Sequence, residues 1–271
     1  MRQPATSSAQ VRYSCRSMGG GNGRSRTGRR LLRGAVVLLA TLLVAAPGAS
    51  ARVTLVATGT PELVFLGIPR NEVVARLALP ATARAVAVTR DGTRAYVSAG
   101  PEVVAVDVNQ RMESGRSALG AGPEISDVEL SPGGETLYAV RGTQLVALDA
   151  QTLIQRTAIE LRGPGGALAV ANDGSLAAVT LASGRVAMIG LGTSTLLRHV
   201  RLKGVLGVAI ADSGVTYATA RGRLRLISPG QHRPDKRPRI KLPAGAGGML
   251  TLSPGRSRLV VAAVAGGRAA A

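Results

Sequence analysis

The stretch Val86-Ala87-Val88-Thr89-Arg90-Asp91-Gly92-Thr93-Arg94-Ala95-Tyr96-Val97-Ser98 is an apolar run, a four-residue turn and a second apolar run. The same grammar returns four more times. Residues 128–130 lead into Ser131-Pro132-Gly133-Gly134 and residues 168–170 into Ala171-Asn172-Asp173-Gly174. Residues 208–210 lead into Ala211-Asp212-Ser213-Gly214 and residues 249–252 into Ser253-Pro254-Gly255-Arg256. The turns begin at 89, 131, 171, 211 and 253, so the spacings are 42, 40, 40 and 42. A period of about 41 residues with several short strands per copy is that of a β-propeller blade. Asp-Gly and Gly-Gly in the turns supply the positive φ that tight hairpins need.

Each copy holds four runs. In the first they fall at 85–88, 95–98, 103–108 and 116–119, and in the second at 125–130, 136–140, 144–148 and 155–161. The third has 167–170, 176–180, 185–189 and 196–202, and the fourth 205–210, 215–219, 224–227 and 239–242. Short runs of Val, Ile, Leu and Thr bounded by Gly, Pro, Asp and Asn read as strands. No stretch after residue 51 keeps a 3.6-residue apolar period long enough for a helix. The runs are almost continuously apolar rather than alternating, as expected for strands covered on both faces by neighbouring blades.

The fold class expected is therefore all-β, a propeller of four-stranded antiparallel blades near 85–124, 125–166, 167–204 and 205–247. Residues 52–80 lack an inner strand and 248–264 supply an inner and a second strand, so the two ends are expected to share one closing sheet. That arithmetic gives five blades, with six as the alternative.

The first 51 residues read differently. They carry eight arginines and no acid, then an apolar run over 34–46, then Pro47-Gly48-Ala49-Ser50-Ala51. A basic region, a short apolar region and a small-x-small site make a secretory signal peptide cut before Arg52. Thirteen apolar residues are too few for a bilayer span, which needs about 20, so no stable transmembrane anchor is expected. A start at Met18 gives a basic region of ordinary length. Arg29-Arg30 partly resembles a twin-arginine signal, but general secretion fits the rest of the segment better. The one cysteine, Cys15, leaves with this segment, so the domain at 52–271 has no thiol chemistry and no disulfide. An extracytoplasmic or secreted location follows.

The segment Asp91-Gly92-Thr93-Arg94-Ala95-Tyr96-Val97-Ser98 resembles the PDGTRAYVTN-type repeat of the YVTN (YncE-like) bacterial β-propellers. Val103-Val104-Ala105-Val106-Asp107 and Leu145-Val146-Ala147-Leu148-Asp149 resemble that family's third strand, of the type VSVID. The resemblance covers most of 52–271 and fades toward the carboxyl end. Tyr96 and Tyr138 give way to Ala178, and Gly190 and Ser228 replace the third-strand aspartate. It implies a propeller and brings no catalytic residues with it.

After residue 51 the chain has two histidines, no cysteine, no tryptophan, three tyrosines and one phenylalanine. His199 and His232 lie 33 residues apart, which leaves no His- or Cys-rich metal site. Asp91, Asp173 and Asp212 are read as caps of their own turns rather than Ca²⁺ ligands. No cofactor is expected. Both histidines are read as solvated, His199 on an outer strand and His232 in a loop without a nucleophile elbow.

The distinctive local feature is basic. Arg221, Arg223 and Arg225 recur every second residue and would share one face of an extended strand. Arg233, Lys236, Arg237, Arg239 and Lys241 follow in a Pro-rich loop. Together they would form a positive edge able to meet phosphate or carboxylate groups. No aromatic residue is interleaved to stack bases, which argues against specific nucleic-acid binding. The function expected is a non-catalytic binding or scaffold protein whose partner is a protein or an anionic envelope polymer. The alternatives are a lactonase-type propeller hydrolase, since some seven-bladed propellers are lactonases, and an electrostatic binder of nucleic acid or envelope polymer through 221–241.

Overall fold

The structure, a computed structural model, describes residues 10–11, 52–68, 70–236, 240–242, 246–252, 259–265 and 268–270. The apolar leader run at 34–46 and its cleavage site lie outside the described residues, as do Arg237 and Arg239. Every regular element described is a β-strand. Among the described residues no helix is long and apolar enough to cross a membrane.

Six antiparallel sheets follow one another along the chain, five of four strands and one of three. Sheet 1 holds β1 (Gln10–Val11), β2 (Arg52–Ala57), β3 (Glu62–Ile68) and β4 (Glu72–Ala78). Sheet 2 holds β5 (Ala83–Val88), β6 (Arg94–Ala99), β7 (Glu102–Asp107) and β8 (Met112–Arg116). Sheet 3 holds β9 (Ile125–Leu130), β10 (Thr136–Arg141), β11 (Gln144–Asp149) and β12 (Gln155–Glu160). Sheet 4 holds β13 (Gly165–Val170), β14 (Leu176–Leu181), β15 (Arg185–Gly190) and β16 (Thr195–Arg201). Sheet 5 holds β17 (Val205–Ile210), β18 (Thr216–Ala220), β19 (Arg223–Ile227) and β20 (Ile240–Lys241). Sheet 6 holds β21 (Ala246–Leu252), β22 (Leu259–Ala265) and β23 (Arg268–Ala270).

Within each sheet every strand bonds to the next in the chain, and the first strands β5, β9, β13, β17 and β21 lie against one another in turn. Repeated sheets joined through their first strands give a propeller-like arrangement.

Among the described residues the closing sheet expected from 52–80 and 248–264 is not formed. β2 is flanked by β3 and by β1 at Gln10–Val11, while β21 bonds to β22 in a sheet of its own. A segment upstream of residue 52 supplies the inner strand that the carboxyl end was expected to lend. The first copy's outer strand also differs, running over Met112–Arg116 instead of 116–119. Asp107 closes the preceding turn early by accepting from the Gln110 N–H at 2.8 Å, and Arg111 reverses the chain with φ 57°.

The core is divided into slabs between adjacent sheets. On β7, Val104 and Val106 pack toward sheet 1, whereas Val103 and Ala105 pack toward sheet 3. On β11, Val146 and Leu148 face sheet 2 and Leu145 faces sheet 4. The period of two is intact, but both of its phases are buried, so the runs read as continuous.

A recurring bulge shapes the inner strands. Register shifts between Ala83 and Val86, Gly165 and Leu168, and Val205 and Gly207 take N–H groups out of the ladder. A hydroxyl on the second strand receives them, as buried donors require. Ser98 Oγ accepts from Ala85 N at 2.9 Å, Thr180 Oγ1 from Ala167 N at 2.8 Å, and Thr219 Oγ1 from Gly207 N at 3.0 Å.

Sheet 3 solves the problem differently, because Val140 stands where the hydroxyl would be. Asp127, 2% exposed, accepts from Val128 N at 2.9 Å and from Leu168 N of the next sheet at 2.8 Å. Gly165 admits this approach, since a Cβ there would collide with Val140 Cγ1.

Sheets 2 and 3 are also pinned by a side chain. Buried Tyr96 donates its hydroxyl to Ala150 O at 2.6 Å, with the Arg94 guanidinium 5.3 Å from its ring centre. Removing a bulge hydroxyl strands a buried N–H, so Ser98→Ala and Thr180→Val should each cost about 1–3 kcal/mol. Ser98→Thr should cost far less. Urea unfolding of the three variants checks this.

Candidate anion-binding cleft

A cleft of about 410 Å³ opens between sheets 4 and 5, walled by Arg201, Lys203, Arg221, Arg223 and Arg225 over Leu202, Ala220 and Pro234. Every charged group in its wall is basic. Sheet 4 contributes the end of β16. There Leu202 is buried and donates its N–H to Gly184 O at 2.9 Å, which leaves Arg201 and Lys203 on either side exposed.

Sheet 5 contributes the β18–β19 hairpin. Its two turn residues, Arg221 and Gly222, have φ of 49° and 67°. Two positive φ values in a two-residue loop match the right-handed twist of the strands. The Arg221 side chain lies across Gly204, where an added Cβ would meet its Cγ at 3.1 Å.

The far wall is held by arginines with other work. Arg225 is half-buried and donates to Asp235 O at 3.2 Å. Asp235 in turn accepts from Ser228 Oγ at 2.7 Å and donates its N–H to Leu226 O at 2.8 Å. Arg198 donates to Gln231 O at 3.0 Å from sheet 4, and burial pulls its pKa down. The loop at 228–236 is thus tied on both sides, which sets Pro234 against the cleft.

Arg221, Arg223 and Arg225 come together as expected, but not along one strand face. Arg221 sits in the turn, because the hairpin needs residues with positive φ there, and only Arg223 and Arg225 lie on β19. Lys241 is on β20, directly opposite Arg223. Arg233 and Lys236 are exposed in the loop and do not line the cleft. Arg201 and Lys203 escaped the sequence reading, since the preceding repeat supplies them. The signal was available as a second alternation, Arg201-Leu202-Lys203 beside Arg221-Gly222-Arg223.

Charge is distributed unevenly along the chain. Residues 52–160 carry 10 Arg and Lys against 12 Asp and Glu, whereas residues 161–271 carry 16 against three Asp and no Glu. Two of those three stand away from the hairpin end of the sheets. Asp173 and Asp212 lie in the β13–β14 and β17–β18 turns, at the opposite strand ends, and Asp235 is beside Arg225 with its carboxylate taken up by Ser228 Oγ. The exposed side chains of Arg201, Lys203, Arg221 and Arg223 make no hydrogen bond or ion pair among the described residues. The earlier sheets pair theirs, as in Arg76–Glu62 at 3.0 Å and Arg116–Glu113 at 2.9 Å.

The other chemical candidates have structural work. His199 is half-buried rather than solvated, its Nε2 lying 2.9 Å from Leu161 O, because β16 packs back against the link between sheets 3 and 4. His232 is exposed in its loop. Asp91 accepts from Thr89 Oγ1 at 2.6 Å and from Thr93 N and Oγ1, bonds that lower its pKa. Asp173 accepts likewise from Ser175 N at 3.0 Å and from Ser175 Oγ. Among the described residues no three His, Cys, Asp or Glu side chains group so as to hold a metal.

Asp149 closes the β11–β12 turn. The Thr152 N–H and the Arg156 guanidinium hold its pKa down to about 2. A depressed carboxylate stabilises the fold above its unfolded pKa of about 3.9 and loses that effect as pH falls toward the folded value. Asp149→Asn should therefore lower the melting temperature at pH 6, with the gap to the native chain closing between about pH 4 and pH 2. Thermal melts across that range measure it.

No family model and no curated protein matches the chain. Solved structures match it widely, in 1665 chains, and a fold by itself names no activity. One of them, the Kuenenia stuttgartiensis hydrazine synthase, superposes with a TM-score of 0.65 at 15% sequence identity. The match covers 77% of this chain and 70% of that one. At that identity the likeness is one of fold.

Proposed function

We propose that this protein is an exported β-propeller of the YVTN (YncE-like) type that acts by binding, with an anionic partner seated in the cleft between sheets 4 and 5. The observation that carries the proposal is the cleft wall: five basic side chains from two sheets and no acid. Its exposed cations have no counter-charge among the described residues. A concentration of exposed positive charge in a concave site attracts anions and speeds their capture.

Six successive sheets favour six blades over five. Export rests on the leader read from the sequence, and cleavage before Arg52 would remove β1 and bare the inner edge of β2. Sequencing the amino terminus of the secreted protein decides that point. A protein that keeps residues 1–51 speaks against export by this route.

Against the lactonase alternative, His199 is tied to Leu161 O and His232 is exposed in its loop. Clear turnover of a lactone or ester panel by purified 52–271 would overturn the binding proposal. For the cleft itself, the variant Arg201→Gln/Arg221→Gln/Arg223→Gln should bind heparin resin more weakly. Its log K against log salt should be shallower by up to about three, roughly one for each arginine replaced. Unchanged elution and slope would reject the cleft as the site.

A further inference from the structure

The first residue of the third strand occupies the same place in each four-stranded sheet, at the hairpin end beside the outer strand. Along the chain it reads Glu62, Glu102, Gln144, Arg185, Arg223. In sheets 1 and 2 the outer strand answers with a base: Arg76 lies 3.0 Å from Glu62, and Arg116 lies 3.8 Å from Glu102. In sheet 3, Gln144 donates to Glu160, its register partner. Sheets 4 and 5 break the pattern. Arg185 is directly opposite Arg201, and Arg223 directly opposite Lys241.

Like charges directly opposite on a sheet are destabilising, and the first two sheets show that this fold accommodates the complementary arrangement. All four side chains are exposed and without a hydrogen bond or ion pair among the described residues. Two adjacent sheets thus carry the same uncompensated pair at the same address, with Lys203 and Arg221 in the cleft between them.

Resting on the anionic-partner reading above, we infer that the ligand is a flexible linear polyanion laid across the rim of sheets 4 and 5. It would place one anionic group at the Arg185/Arg201 pair and another at the Arg223/Lys241 pair. Sheets that pack face to face stand about 10 Å apart, too far for a single phosphate or carboxylate to neutralise both pairs. A chain with successive anionic groups spans them. Three of the four paired cations are arginines, whose planar forks take up oxyanions two oxygens at a time. No aromatic side chain lines the cleft, so a polymer would be read by its charge and spacing and not by stacked bases.

The test uses Arg185→Glu/Arg223→Glu, which rebuilds in sheets 4 and 5 the acid–base pairing of sheets 1 and 2. Its melting temperature without ligand should equal or exceed that of the native chain. Long-chain inorganic polyphosphate should raise the native melting temperature, as a ligand of the folded state does, and leave the variant unmoved. Pyrophosphate at equal phosphate should give the native chain at most a tenth of the polyphosphate affinity.

If the double variant does not fold, Arg185→Gln and Arg223→Gln serve singly. Each should lower polyphosphate affinity and reduce its salt slope by about one. Equal binding of pyrophosphate and polyphosphate overturns the two-sheet track, as does unreduced polyphosphate binding by the variants. Tighter binding of oligothymidylate than of polyphosphate overturns reading by charge alone. Binding to phosphatidylglycerol vesicles without polyphosphate binding overturns the linear ligand. In each of these cases an anionic partner survives, whereas failure of the native chain to bind any of the four probes removes that broader proposal too.

Discussion

The burial of both faces of the inner and middle strands in sheets 2 to 4 is the constraint on which the rest of this structure depends. A sheet packed on two sides admits few polar residues on its faces, so most of its specificity has to come from elsewhere. It comes from the strand ends and from the backbone. Bulges in the first strands expose N–H groups that a hydroxyl satisfies in sheets 2, 4 and 5 and the Asp127 carboxylate in sheet 3, while Asp107 and Asp149 fix the turns that follow their strands. These polar interactions set where each sheet begins and ends. The slabs of Val, Ala and Leu between sheets then need only the right volume.

Much of this was legible in the sequence. The period of the Asp-Gly and Pro-Gly turns located the sheets because such turns have strict φ requirements, and Gly92, Gly134, Gly174 and Gly214 all meet them with φ between 72° and 81°. Continuous apolar runs correctly implied cover on both faces. The failures came from pairing across long sequence distance. No local feature of Gln10-Val11 marks it as a partner for β2, which lies beyond the whole leader segment. The half-buried His199 was missed for the same reason, since its partner Leu161 lies 38 residues away.

The cleft was half visible. Arg221, Arg223 and Arg225 stood out by their alternation, although the turn at Arg221 made the strand-face geometry wrong while leaving the cluster intact. Arg201 and Lys203 were hidden because a site between repeats draws on two copies at once. The run of first residues on the third strands, from Glu62 to Arg223, becomes readable only after the sheets are aligned by register.

The division of the core into separate slabs has an evolutionary consequence. The first residue of each third strand lies outside every slab, so its charge can change without repacking anything. Each repeat offers one such position, at a constant address on the rim. Duplication of a sheet therefore copies a binding position along with the scaffold, and drift at that position can convert it from acid to base one module at a time. A gradient of charge around the rim can arise in this way while the interior keeps its original fit.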